Sequence, residues 1–491
     1  MGFKSALRKF LREKMTVNGL AYEFSLETYF EIFNKSALSG KKSVVYLDAA
    51  SSLYSIQLDQ TGEAMKLNDL AWRYIKFIQD ILHTENAETF VFMFDRETPL
   101  AKYVNPKTVA EPTPLDTDDN HHAVWAKYFE RYVEGKNLSN LEYMLNYIAT
   151  PKDRNPTPFD YVLPPEKWLR LLGNRAYKEY VTWLLCNSIF HFSQIPENKT
   201  LIVIGPNGFA KKRQGSQLLD RDEALVFDFY EADFAVTYLE KMFPGYDKVY
   251  FSIDGDVMLN LLYNHSPKQD TDDKVYVVST FSLTQQQCAF VDIHRLWMNV
   301  RMYIQRIKNG KTMKNPVATF CTLCMLCGND YVNSFPQIGP VNMFKGFEIT
   351  INSGVVDFIK NPFSRKAKVL NAKSYFLLIL NCYASAFKSL DFPLSPNYAS
   401  YTEAITKALK TKKGQPVLTL EIVRNTLANL NWTLEYMIYS SRGERPPSPT
   451  ARSTSGLSLY GYDSDCVLNE TATYKVWRPD NTTLELLAKP F

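Results

Sequence analysis

The chain has 491 residues, 45% hydrophobic and 14% aromatic, with a formal net charge of +4. That length allows two or three domains or one large elaborated one, and the near-balanced charge excludes a globally basic nucleic-acid binder, so such a role needs a local basic patch. Seven scattered cysteines argue against a secreted disulfide framework, and no apolar run is long enough to span a bilayer. The start, Met1 to Arg12, is basic and amphipathic and is followed by no signal-peptide apolar core. It reads as an intracellular protein, with the nucleus as the expected compartment and no membrane partner.

Residues 1–40 read as helical in pieces. Ser43 to Leu47 reads as a strand that ends at Asp48, followed by the small residues Ala49 to Ser52 and then Tyr54. Residues 66–84 carry apolar positions at helical spacing, from Leu67 to Leu82. Thr89 to Phe94 is a second apolar run, and it ends at Asp95. Two strands separated by a helix, each finishing on an aspartate, make an α/β pattern in which sites form at the carboxyl ends of parallel strands. A mostly parallel central sheet flanked by helices is therefore expected.

Residues 96–198 differ. Pro99, Pro106, Pro112 and Pro114 open the segment, an acidic run follows at 116–119, and helical stretches are expected near 123–149 and 165–193. This reads as a large helical insertion. Leu201 to Ile204 is a third strand. Gly205-Pro206-Asn207-Gly208 and then Lys211, Lys212 and Arg213 read as a basic loop. It lacks the spacing of a P-loop, and a solvated loop is the plainer alternative to phosphate binding.

A helix over 224–242 carries Glu231 and Asp233. A separation of two does not share a helix face, so the pair belongs at the helix's start, where both can turn inward. Lys248 to Ile253 reads as a buried strand that delivers Asp254 and Asp256, with Gly255 between them. Like charges repel and buried carboxylates lose hydration, and Mg²⁺ or Mn²⁺ relieves both costs. Asp-Gly is equally a turn signal. A strand over 275–279 and a helix over 314–327 then lead to Asp330. Cys321, Cys324 and Cys327 fall at a spacing of three on that helix. With apolar neighbours and no fourth ligand nearby, they read as a core face rather than a thiolate metal site. Linker composition appears at 440–449, and apolar residues return from Tyr474 to Phe491 as a docking segment.

Taken in order, Met1-Gly2-Phe3-Lys4, Leu47-Asp48-Ala49-Ala50-Ser51-Ser52-Leu53-Tyr54, Phe94-Asp95, Glu231-Ala232-Asp233, Asp254-Gly255-Asp256 and Leu326-Cys327-Gly328-Asn329-Asp330-Tyr331 resemble the flap endonuclease family of structure-specific 5′ nucleases. The related 5′→3′ exoribonucleases share that core. The resemblance covers roughly residues 1–350, apart from the long insertion. It implies a PIN-like core over 1–95 and 199–350 and an arch-like insertion over 96–198; beyond it, the chain reads as a helical C-terminal region over 351–440 and a linker-like, docking tail over 441–491. It implies that Asp48, Asp95, Glu231 and Asp233 shape a first metal site, that Asp254 lies near both metals, and that Asp256 and Asp330 hold a second. Two ions about 3.5–4 Å apart would serve phosphodiester hydrolysis. Tyr54 matches a tyrosine that stacks on a nucleobase, and Lys102 matches a basic residue at the foot of the arch that contacts the scissile phosphate. The second arch position falls near Val109, with Lys107 as a possible substitute. The family's Gly-Ile-Gly-Pro turn is Gln337-Ile338-Gly339-Pro340 here, followed by Val341 and Asn342 instead of phosphate-binding charges. Each lost phosphate contact weakens duplex binding and its salt dependence.

Two functions are expected from this. One is a nuclease that uses Mg²⁺ or Mn²⁺ on DNA or RNA with a 5′ end or flap, with Lys102 among its catalytic residues. The other is a structural protein on the same scaffold, such as a viral occlusion-body matrix protein packed into a homo-oligomeric lattice. The thinned phosphate-binding charges and the high aromatic content motivate the second.

Overall fold

The computed structural model describes residues 15–17, 20–22, 27–29, 42–50, 65–66, 87–96, 162–163, 175–206, 208–220, 225–252, 254–265, 273–280, 288–307, 313–359, 370–387 and 418–445, with a few more between 400 and 409. Its strands are β1 (Met15–Val17), β2 (Leu20–Tyr22), β3 (Glu27–Tyr29), β4 (Ser43–Asp48), β5 (Met65–Lys66), β6 (Ala87–Met93), β7 (Val162–Leu163), β8 (Thr200–Ile204), β9 (Ala210–Gln214), β10 (Gln217–Leu218), β11 (Asp247–Phe251), β12 (Val275–Thr280) and β13 (Cys288–Asp292). Its main helices are α1 (Arg175–Phe192), α2 (Ala232–Glu240), α3 (Gly255–Asn264), α4 (Ile293–Ile307), α5 (Pro316–Leu326), α6 (Pro340–Asn352), α7 (Ala372–Ala386) and α8 (Leu420–Ser440).

Nine strands form one sheet in the order β10-β9-β8-β6-β4-β11-β12-β13-β3. The five central strands, β8 to β12 in that order, run parallel, and antiparallel strands extend both edges. The expected α/β architecture is present. Both faces of the parallel part are covered, so its strands carry near-continuous apolar runs rather than an alternating pattern. β4 is buried along its whole length, and β11 is too.

The helical expectation for residues 1–40 is corrected by three short strands. β1 and β2 pair with each other, and β3 pairs with β13 at the sheet's edge. Thr16, Val17, Tyr22, Thr28 and Tyr29 are the β-branched and aromatic residues that favour this. The helix expected over 66–84 and the one near 123–149 lie outside the described residues. Within the 96–198 insertion, α1 packs on β8 and so covers the sheet itself. A Cβ on Gly205, at the end of β8, would meet Cys186 Sγ of α1 at 2.4 Å, so only glycine permits this approach.

α2 is held to the opposite face by two tyrosines. Tyr46 of β4 and Tyr250 of β11 are register partners, and their rings stack 4.5 Å apart. The Tyr46 hydroxyl donates to the Leu239 carbonyl at 2.9 Å and the Tyr250 hydroxyl to that of Val236 at 3.4 Å. Both carbonyls belong to α2, so the sheet fixes the helix along its length. The helical layer continues through α5 to α8, whose apolar residues join the same core. Cys321, Cys324 and Cys327 lie buried there, and burial pushes the Cys327 thiol up to about 12 and raises the other two as well. They are core residues. Among the described residues no helix is long and apolar enough to cross a membrane.

Candidate active site at the carboxyl edge of the sheet

Strand order changes direction at β4. β6 and β8 follow on one side, β11 and β12 on the other. The crevice beyond the carboxyl ends of β4 and β11 is therefore the switch point at which open α/β sheets bind ligands. Leu47 is the register partner of Phe251, and Asp48 that of Met93. Asp48 thus ends β4 level with Ser252, just past β11, and beside the exit of β6 that leads to Asp95.

One half of the site is a hydrogen-bonded series. The Ser252 hydroxyl donates to Asp48 Oδ2 at 2.8 Å, and the Asp254 backbone N–H donates to the same hydroxyl at 3.0 Å. Asp254 caps α3, its Oδ1 accepting from the Asp256 N–H at 3.1 Å. A short polar side chain at this cap satisfies an orphan helix donor, and the positive end of the helix favours both acids. Asp48 is 4% exposed and Asp256 6%, so two buried carboxylates stand within this short series.

The other half gathers at the start of α2. Glu231 is the N-cap residue, and Asp233 lies in the first turn, as their spacing predicted, although the helix is shorter than 224–242. The capping bond comes from elsewhere: Asp95 Oδ1 accepts from the Ala232 N–H at 3.0 Å. Arg96 N–H also donates to the Tyr230 carbonyl at 2.9 Å, which ties the exit of β6 to this segment. The second Asp95 oxygen, Oδ2, meets Lys178 Nζ of α1 at 3.0 Å, with the two side chains 22% and 19% exposed.

Asp330 follows Gly328, which takes φ +103 in the turn after α5. The Asn329 side chain accepts from the Tyr331 and Val332 N–H groups and locks that turn. The Tyr331 ring stands edge-on to Phe234 at 5.5 Å, so the Asp330 backbone sits beside the first turn of α2. From the far end of the chain, Tyr436 of α8 stacks on Phe234 at 4.2 Å, and its hydroxyl accepts from the Glu231 N–H at 2.9 Å.

The carboxylates offer hard oxygen donors, which suit Mg²⁺ or Mn²⁺ in chemistry. Their spacing does not match: among the described residues no three of these side chains gather closely enough to hold one ion. The edge is two half-sites on neighbouring strands rather than one assembled cluster.

The basic residues are placed differently from expectation. Lys211, Lys212 and Arg213 form strand β9, paired with β8, and not a loop. Lys211 Nζ lies 5.0 Å from the Phe209 ring centre and 5.7 Å from that of Phe190. Arg213 donates to the Gly215 carbonyl at 3.0 Å and also to the Ser193 carbonyl. Burial lowers the pKa of both Lys211 and Arg213. These cations are engaged with the protein's own rings and carbonyls. Tyr54, Lys102 and Lys107 lie outside the described residues. Ser252, Lys178 and Tyr436 are the supporting residues that sequence reasoning missed. Only Ser252 carried a signal, as a hydroxyl directly after the apolar run Val249 to Phe251.

Fold and site together define an α/β protein with a carboxylate-lined switch point. No protein-family model matches the chain, and no curated protein matches it in sequence.

Proposed function

We propose that the chain is a 5′ nuclease with a PIN-like core, hydrolysing phosphodiester bonds of flap or single-stranded DNA or RNA with Mg²⁺ or Mn²⁺ as cofactor. The observation that supports this reading is the placement of Asp48, Asp254 and Asp256 around one switch point, linked through the Ser252 hydroxyl and the Asp256 N–H, with Asp95 and the Glu231–Asp233 pair at the adjacent strand exit. Acids held at strand exits and helix starts are suited to a substrate that is itself anionic only if cations accompany it. Two ions, in the reading by resemblance, would require the two halves of the edge to draw together. The test is cleavage of 5′-flap DNA, single-stranded DNA and single-stranded RNA with Mg²⁺. Asp254→Asn should reduce the rate by orders of magnitude, and full activity in that variant overturns the proposal.

A second reading, a structural scaffold that packs with copies of itself, is favoured by one specific observation. Lys178 already neutralises Asp95 at the position where a cation would serve. On this reading the wild type cleaves none of these substrates and forms ordered assemblies that light scattering and electron microscopy detect.

A further inference from the structure

Away from the acid edge, the end of α3 meets the junction of β13 and α4. His265 follows Asn264 as the C-cap of α3, and its N–H donates to the Leu261 carbonyl at 2.8 Å. His294 is the second residue of α4, directly after the strand that ends at Asp292. The two imidazoles face each other with Nε2 of His265 and Nδ1 of His294 3.3 Å apart. Their rings are nearly perpendicular, at 76°, with centres 5.6 Å apart.

That separation lies within hydrogen-bonding reach, the donor being set by the tautomer, and it is also a metal-ligand spacing. Two imidazole nitrogens that bind one tetrahedral zinc at 2.0–2.1 Å lie about 3.3 Å apart. The pair also sits on helix ends and a strand end rather than on a free loop, which holds such a spacing in place. His294 is exposed and His265 half-buried, so solvent reaches one side of the pair. Asp292 lies two residues before His294 and accepts from the Arg295 N–H at 2.9 Å, leaving a carboxylate charge beside the rings.

We propose that His265 and His294 form a binding site for a borderline divalent transition cation, with Zn²⁺ as the probe to use. Among the described residues no third histidine, cysteine or carboxylate joins them in a group of three, so water completes the coordination. Imidazole ligands favour zinc, cobalt and nickel over magnesium, which keeps this site distinct in chemistry from the acid edge. The inference does not depend on the nuclease reading.

The experiment uses the untagged full chain with excess Mg²⁺ present, so that carboxylates are occupied. Zn²⁺ is titrated by calorimetry, and Co²⁺ is followed by its visible absorption. Expected is saturable binding of one ion, weakened at least about tenfold in His294→Gln and in His265→Gln. X-ray absorption of the Zn²⁺ form should show two imidazoles. His294 is exposed, so its variant should keep the wild-type unfolding midpoint and remain informative if the His265 variant folds poorly. No saturable Zn²⁺ binding by the wild type, or equal binding in His294→Gln, overturns the site.

Discussion

Replacing Lys178 with Met asks how the acid edge balances its charge. Methionine keeps the length of the stem and removes the ammonium that lies 3.0 Å from Asp95 Oδ2. Asp95 would retain the Ala232 N–H, bonded at 3.0 Å, and the positive end of α2. Removing one partner of a fully buried pair costs about 3–5 kcal/mol, and an exposed pair is worth about 0–1 kcal/mol. At roughly one-fifth exposure of each side chain, the loss should fall near 1–3 kcal/mol. Urea unfolding in EDTA measures it. Repeating the series in 10 mM Mg²⁺ then asks whether a cation takes the lysine's place. For a site with a dissociation constant of about 1 mM, that concentration adds about 1.4 kcal/mol. Lys178→Met should therefore gain more from Mg²⁺ than the wild type, where the ammonium competes. Equal gains in both proteins would refute the competition with Lys178, and none in either would refute the idea that this carboxylate edge attracts divalent ions.

Gln337 takes φ +63, a left-handed conformation that costs a side-chain-bearing residue about 1–2 kcal/mol. Part of that is returned by the greater freedom of an unfolded glycine, so Gln337→Gly should raise stability by about 0.5–1 kcal/mol in urea. A lower midpoint would mean that the glutamine side chain makes a contact outweighing the strain. Burial pushes the Glu240 carboxyl up to about 7, against the pull of Lys248 and Lys241. The folded state then holds a proton that the unfolded state releases between about pH 4.5 and 7, so stability falls as pH rises through that window and stays lower above it. Glu240→Gln should flatten this profile and exceed the wild type at pH 8 by about 1–3 kcal/mol, below the full shift of about 3.4 kcal/mol because the residue keeps some solvent contact. A wild-type curve that is level from pH 5 to 8 would contradict the assignment. Tyr436→Phe keeps the stack on Phe234 and removes the acceptor for the Glu231 N–H. It should cost about 1–2 kcal/mol by leaving a buried donor without its bond, and unchanged stability would show that another group replaces the hydroxyl.

The central strands were legible because each is a short apolar run, as a rule one that stops at a polar residue. β4, β6 and β11 follow that rule, β8 stops instead at Gly205-Pro206, and burial on both faces is what makes these runs apolar. β9 reads as the opposite: Ala-Lys-Lys-Arg-Gln has the composition of a loop. Its long side chains lay their stems and charges over Phe190 and Phe209, so residues that look solvated cover an aromatic surface. The placement of Glu231 and Asp233 at a helix start was readable from a spacing that denies them a shared face. What holds them was not. Ser252 reaches Asp48 across 204 residues, Lys178 reaches Asp95 across 83, and Tyr436 reaches Glu231 across 205. No local spacing encodes such meetings, because the sheet order creates them.

These long-range partners also bear on what the edge is for. The start of α3 supports Asp254 and Asp256, a serine hydroxyl supports Asp48, and Lys178 supports Asp95. The C-terminal helix supports Glu231 and is pinned past its end, where the Asp228 N–H donates to the Gly443 carbonyl and Arg445 donates to the Phe229 carbonyl. Residues 227–231 thus lie between α8 and the strand exit that carries Asp95. A fold stabilised in this way presents its acids without relying on one another's proximity. The nuclease and scaffold readings consequently share the same native state. They part on a single quantity, the free energy gained when divalent cations join those acids, and that gain must exceed what Lys178 already supplies at Asp95.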